Sequence, residues 1–351
     1  THTLDTKTLI VSHSGGGGVE KYMNMMLKHI NAIILTPNCD KEYIYEIRSV
    51  ASQTLFFNEI QLNEMANTIL IHNIDRIIIN HAGSFSPQIF EMVLFIKNYY
   101  NIDIISIVHD FSFISNIPNP SFKNTINDSM YEQNAYNVCR KDILNKSKHI
   151  IYPSKYMRNS YEKFDITTPS FVIQHPDNHI VPNTINIINN TQEIVILIFG
   201  HDKGLEQINQ FIISYNSSTH VTIHYVGKID VCHIKTNENI TFINTSTSYD
   251  DSDIVSIGTN INPSFIWFPS MIPESYCYAL SYALEMNYPI VCYDIGAFTE
   301  RLKGRQMTFM LKPFSCLSLH IEKIVYACPS YDNTEYAENE AKNSLTDEEY
   351  M

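Results

Sequence analysis

No apolar run in this 351-residue chain approaches the length needed to span a bilayer. No cysteine stands in a C-x-x-C pair. The seven are Cys39, Cys139, Cys232, Cys277, Cys292, Cys316 and Cys328, an odd number. That argues against a zinc site and a disulfide framework, and predicts buried thiols in a reducing compartment. Cations are scarce too: 24 Lys and Arg face 37 Asp and Glu, for a net charge of −13. Such a balance argues against nucleic acid as the main partner, because neutralising phosphates takes clustered Lys and Arg. The dinucleotide fingerprint G-x-G-x-x-G is missing, which counts against a dehydrogenase, and no G-K-[ST] completes a Walker loop. No Asp-x-Asp lies at a strand end, so neither a metal nor a cofactor is expected. Asp250-Asp251-Ser252-Asp253 reads as a solvated acidic loop. The start, Thr1-His2-Thr3-Leu4-Asp5, has no initiator Met and no signal-peptide pattern. The expectation is a cytoplasmic protein, or one domain of a longer one.

What is present is a repeated alternation of short apolar runs and amphipathic stretches. Hydrophobic residues make up 44% of the chain, enough for two domains of ordinary size. The run Phe265-Ile266-Trp267-Phe268 predicts a parallel strand covered on both faces. Pro269 and Pro273 mark a turn, and Glu274 follows at the predicted mouth of a helix, where backbone N–H groups favour anions. Pro289 to Tyr293 is the next strand, ending in Asp294-Ile295-Gly296-Ala297. Near the start, a strand over Thr8 to His13 leads into Ser14-Gly15-Gly16-Gly17-Gly18 and a helix opening at Val19. Glycines there let a backbone approach a phosphate closely. Further strands are predicted over 32–35, 76–81, 104–108, 149–154 and 171–173, with helices over 63–71, 87–99 and from Lys155. A second series begins at Ile194, breaks at Gly200-His201-Asp202-Lys203-Gly204, and continues through strands at 222–226 and 240–243 and a helix over 315–326.

This order predicts an α/β protein with right-handed crossovers and parallel sheets. The Asn-rich stretch 182–191 reads as a linker between a domain over 1–181 and one over 192–330. Residues 331–351 read as an acidic tail, disordered or packing back on the N-terminal domain. In such sheets, ligands bind beyond the carboxyl ends of strands. His109-Asp110, Asn80-His81, Lys203 and Glu274 all fall at such ends.

Taken in order, these landmarks resemble the retaining GT-B glycosyltransferases of glycosyltransferase family 4. The resemblance rests on Gly15 to Glu20, Asn80-His81, His109-Asp110, Tyr152-Pro153-Ser154, His175-Pro176, Asp202-Lys203-Gly204, Pro273-Glu274, Asp294 to Ala297 and Glu300-Arg301. It covers nearly the whole chain. It implies two Rossmann-like, doubly wound domains facing a central cleft, and transfer of a sugar from a nucleoside diphosphate sugar to an acceptor hydroxyl. The implied setting is surface glycan or polysaccharide assembly. The implied partners are the nucleotide-sugar donor and a glycan or lipid-linked saccharide acceptor, with the enzyme cytoplasmic or at the inner face of a membrane.

By the resemblance, Lys203 would neutralise the leaving diphosphate, Glu274 would bind hydroxyls of the donor sugar, and His109 would contact the transferred sugar or the acceptor. Gly15, Gly16, Gly17, Gly18, Gly200, Gly204, Ser275, Tyr276, Cys277 and Tyr278 would complete the nucleotide site. Two positions depart from the family pattern. Tyr282 stands where an acid usually holds the ribose, and no Arg lies between Thr191 and Lys203. If Glu274 and Tyr282 share a helix face, a phenol in place of the acid predicts tolerance of a deoxyribonucleotide donor. The alternative is a catalytically silent module of the same fold that binds glycan or a partner enzyme. Arg140, Lys141, Lys146, Lys148, Lys155, Arg158 and Lys163 form a basic stretch that reads as a solvated helix face or a contact for anionic lipid.

Overall fold

The computed structural model describes residues 7–13, 15–38, 41, 44–49, 54–115, 119, 135–176, 181–182, 185–186, 193–200, 203–327 and 344–345. The expectations for His201, Asp202, most of the linker and nearly all of the tail fall outside these residues. The chain divides into two compact units, 1–176 and 177–351.

The first unit is built on β1 (Lys7–Val11), α1 (Gly17–Met26), β2 (Ala32–Pro37), β3 (Ile44–Ser49), β4 (Leu55–Asn58), α2 (Leu62–Leu70), β5 (Ile74–Ile79), α3 (Pro87–Tyr100), β6 (Asp103–Ile107), α4 (Ala135–Lys146), β7 (His149–Tyr152), α5 (Lys155–Glu162) and β8 (Ser170–Val172). Its sheet runs β4-β3-β2-β1-β5-β6-β7-β8. Central strands are apolar because helices cover both faces: Leu9, Ile77, Ile79 and Ile104 are fully buried. Fully burying one such side chain is worth about 1.5–3 kcal/mol. Ser154 caps α5, its hydroxyl accepting from the Met157 N–H at 3.2 Å.

The βα alternation is broken at one edge. β3 pairs antiparallel with β2 and with β4, and among the described residues no helix separates them. An antiparallel hairpin needs only a short connection, whereas a parallel crossover needs a dozen residues or more. Tyr45 and Ile47 face the core while their neighbours do not, the alternation of a half-buried strand.

The second unit contains β9 (Glu193–Phe199), α6 (Leu205–Ser214), β10 (His220–Val226), β11 (Ile240–Ser246), α7 (Ile254–Ile261), β12 (Phe265–Phe268), α8 (Tyr278–Met286), β13 (Ile290–Tyr293), α9 (Ala297–Arg301), β14 (Thr308–Leu311), α10 (Ile321–Ala327) and β15 (Ser344–Leu345). Its strands run β11-β10-β9-β12-β13-β14-β15, and every recorded pairing is parallel. Trp267 is fully buried and meets Phe211 edge-on at 5.7 Å. Within the stretch expected to be a linker, Pro182 and Asn186 are tied to the end of α8. Asn287 Nδ2 donates to Pro182 O, and Asn186 N donates to Asn287 O, both at 2.9 Å.

Two local expectations are corrected. α8 starts at Tyr278, so Glu274 sits in the preceding turn and not in the helix mouth. Cys277 adopts φ 68, a left-handed conformation that cannot continue a helix backward. The helix expected over 315–326 is a 3₁₀ turn at Leu317–Leu319 followed by α10. In the basic stretch, Arg140 departs from the expected solvated face, being buried and donating to Ser112 O, while Lys146, Lys148 and Arg158 lie exposed and pair with Asp142, Asp103 and Glu162. No helix among the described residues is long and apolar enough to cross a membrane.

Candidate functional site

In each unit the strand order reverses direction beside the first strand, between β1 and β5 and between β9 and β12. Loops leave the carboxyl ends of such a strand pair toward opposite faces and open a crevice there. The residues singled out in the sequence collect at these two places.

In the first unit the β1, β5 and β6 ends carry Ser12-His13, Asn80-His81 and His109-Asp110. The Asn80 N–H donates to Val11 O at 2.8 Å, which extends the pairing of β1 and β5 by one residue. Its side chain then joins three elements. Nδ2 donates to Ser12 Oγ and Val19 O, and Oδ1 faces His109 Nε2 at 2.9 Å. His81 Nε2 lies 3.1 Å from Asp110 Oδ2, while its Nδ1 accepts from the Gly83 N–H at 3.0 Å. Four imidazoles and one phenol pack together: His13 on His81 at 4.3 Å, His109 on His175 at 4.8 Å, and Tyr22 against both His109 and His175 at 5.1 and 4.7 Å.

Burial favours the neutral forms of His13 and His109, while Asp110 stays ionised. Burial, then the neighbouring His81, lowers the His13 pKa to about 4. Burial drives His109 well below its ordinary value, and His175, His81 and His13 add to it. Asp110 is pushed up by burial, but its bonds to His81 and Ser112 outweigh that and hold the carboxyl low.

The glycine loop is partly saturated. Gly15 N–H donates to His13 Nδ1 at 3.0 Å and Gly16 N–H to Glu20 Oε2 at 2.7 Å. Gly17 and Gly18 lie exposed in the first turn of α1. The N–H groups expected to meet an anion are thus reduced by two. The pattern G-x-x-x-E at the start of a helix is the signal for the second of these bonds.

In the second unit, Gly200 ends β9 with its N–H on Val226 O. Gly204 caps α6 at φ 83, and a β-carbon there would lie 2.5 Å from Pro269 Cγ. Only glycine lets the turn after β9 lie this close to the end of β12. That approach delivers Lys203 to Glu274, and the ammonium donates to Glu274 Oε1. Partial burial works to lower the Lys203 pKa, but the Glu274 carboxylate and Cys277 outweigh it, and the net shift is upward. The Lys203 side chain remains nearly half exposed, so this pair contributes little stability by itself.

Glu274 is fixed from behind. Its carbonyl accepts from the Ala297 N–H at 2.8 Å. Arg301 clamps the next residues, donating to Tyr276 O at 3.0 Å, Cys277 O at 2.7 Å and Ser281 Oγ at 2.9 Å, with its guanidinium 4.0 Å from the Tyr276 ring centroid. Sequence reasoning gave Arg301 no such role, and no short-range pattern signals it. Burial, then Glu274, pushes the Cys277 thiol up to about 12.

Tyr282 does not share a face with Glu274. It is buried in the core, and its hydroxyl donates to Asp251 Oδ1 in the loop after β11. The expectation that it faces a ribose is corrected by that burial. Asp251 lies exposed in its loop, as read from the sequence, and also accepts this bond. No three His, Cys, Asp or Glu side chains among the described residues are arranged to hold a metal ion.

No family model matches the sequence, and no curated protein matches it. Solved structures do match in shape. Anabaena HepE in complex with UDP and glucose is 13% identical, with a TM-score of 0.58 over 93% of this chain and 90% of that one. Sucrose-phosphate synthase from Thermosynechococcus elongatus is 11% identical, with a TM-score of 0.62 over 92% and 90%. A glycosyltransferase from Rickettsia africae is 14% identical, with a TM-score of 0.60 over 93% and 90%. What this chain shares with them is the GT-B fold of two Rossmann-like parallel-sheet units.

Proposed function

We propose that this protein is a retaining glycosyltransferase that moves a hexose from a nucleoside diphosphate sugar to an acceptor hydroxyl in glycan or polysaccharide assembly. The observation that carries the reading is the meeting of Lys203 and Glu274 at the β9–β12 reversal. A cation and a carboxylate placed together there match the two needs of a nucleotide-sugar donor. Lys203 offsets charge developing on the leaving diphosphate, and Glu274 accepts from sugar hydroxyls. On binding, the phosphate takes over the ammonium and frees the carboxylate for the sugar. His109, at the end of β6, is assigned to contact the transferred sugar or the acceptor hydroxyl. The reaction passes through an oxocarbenium-like state, by analogy with glycoside cleavage. The complexes of Anabaena HepE, similar in fold, with UDP and with UDP-glucose support a nucleotide-sugar donor.

The test is titration calorimetry with UDP, GDP and dTDP, followed by transfer assays with the matching sugar donors. NMR of the product's anomeric carbon then checks retention. Binding without transfer to any glycan acceptor would favour a silent module. The Lys203–Glu274 pair, already satisfied within the chain, is the observation on that side. Failure of all three nucleotides to bind would reject the transferase reading.

A further inference from the structure

Every polar atom of the Asn80 amide has a partner, and those partners decide its orientation. Nδ2 donates to Ser12 Oγ at 3.0 Å and to Val19 O at 3.3 Å. A carbonyl oxygen can only accept. The Ser12 hydroxyl directs its own proton to His13 O at 3.2 Å, so its oxygen also accepts from Asn80. Both contacts require the NH₂ group on that side, which leaves Oδ1 facing His109 Nε2 at 2.9 Å. Oδ1 carries no proton, so Nε2 must carry one. A neutral imidazole has one N–H and one lone pair. The lone pair is therefore on Nδ1, which accepts no hydrogen bond from the described residues.

We propose that Asn80 is a positioning residue that holds His109 as the Nε2–H tautomer, so that Nδ1 accepts a hydrogen bond from a substrate hydroxyl and cannot deliver a proton to it. That the hydroxyl belongs to a sugar rests on the transferase reading; the tautomer does not. The surroundings reinforce the assignment. Tyr22 of α1 and His175 both pack against the ring and against each other, and the ring is almost completely buried. His175, His81 and His13 oppose a second proton on it, and the adjacent carboxylate, Asp110, is engaged by His81 and by the Ser112 N–H. A histidine at a strand end invites the reading of a general acid. This geometry makes it an acceptor, and it selects ligands that offer a hydroxyl over those with an ether or a carbonyl at that place.

The experiment is ¹⁵N NMR of the full chain carrying ¹⁵N-histidine, recorded across the neutral pH range, with the His109 signals identified by their loss in His109→Gln. The expected spectrum shows His109 Nε2 protonated and Nδ1 unprotonated throughout. A protonated Nδ1, or an imidazolium near neutral pH, would overturn the proposal. In Asn80→Asp the carboxylate would stabilise a second proton, and the Nδ1 signal should move to the protonated position as pH falls through neutrality. If the folded variant keeps the wild-type tautomer and titration, Asn80 does not set them. A variant that fails to fold leaves the wild-type spectrum to decide the tautomer. The expected tautomer in a protein that binds no UDP, GDP or dTDP would reject the transferase reading and sustain this one. Nucleotide binding with the opposite tautomer would do the reverse.

Discussion

Gly296 lies so close to Glu274 that a β-carbon on it would stand 2.7 Å from both the backbone nitrogen and the carbonyl oxygen of Glu274. The carboxylate that meets Lys203 is thus placed by a loop that follows it in the chain only after α8 and β13. Gly296 also holds φ 63, which side chains rarely adopt.

Gly296→Ala should therefore act at Glu274. We expect a loss of roughly 1–3 kcal/mol in stability from backbone strain and crowding together. Any sugar transfer should fall with it, and nucleotide affinity should change less. Urea denaturation beside steady-state kinetics checks both. Wild-type stability and rate would show that the Glu274 turn yields without consequence.

Lys203→Ala should keep the fold, because the pair it leaves is partly solvated and worth under about 1 kcal/mol. Nucleoside diphosphate affinity should fall by roughly 1.5–3 kcal/mol, the range for a hydrogen bond to a charged group, or about 10- to 100-fold. Calorimetry with UDP and GDP measures it. Unchanged affinity would take Lys203 out of the nucleotide site.

Acid should weaken the first unit through its histidines. His13 and His109 have folded pKa values below the ordinary 6.5, so the unfolded chain binds protons that the folded chain excludes. The stability of their neutral forms is complete above pH 6.5 and is lost as pH falls toward about 4, the folded value for His13. Asp110, also held low when folded, adds a further loss at the acid end. Thermal unfolding measured from neutral pH downward should show a falling midpoint across this window. A flat profile would mean that these rings are open to water.

Tyr282→Phe separates the two roles considered for that residue. Removing the hydroxyl takes a bond from Asp251, and about 0.5–1.5 kcal/mol of stability should go with it. Discrimination between UDP and dTDP should not move, since the ring is in the core. A changed preference in competition binding would return Tyr282 to the ribose.

The polar strand ends were legible in the sequence for a plain reason. A strand covered on both faces is an apolar run, so the point where it leaves the core is visible as a change to His, Asn, Lys or Glu. That placed His109, Asn80, Lys203 and Glu274 at loops beyond strands. The β3–β4 hairpin was not legible, because short edge strands lack a continuous apolar run. α7 was missed as well, since an acidic loop at its start resembles solvated coil.

Sequence alone determined the two-unit α/β fold and which loops carry chemistry, because burial and turn formation are written locally in residue type and spacing. Tertiary structure alone decided which side chains meet. Lys203 reaches Glu274 because β9 pairs with β12, although β10 and β11 lie between them in the chain, and Asn80 reaches His109 because β5 neighbours β6. Tyr282 turns inward and Arg301 clamps the Glu274 turn through contacts set by helix packing. Such meetings depend on strand order and on the rotation of helices about their axes, and neither quantity has a local signature in the chain.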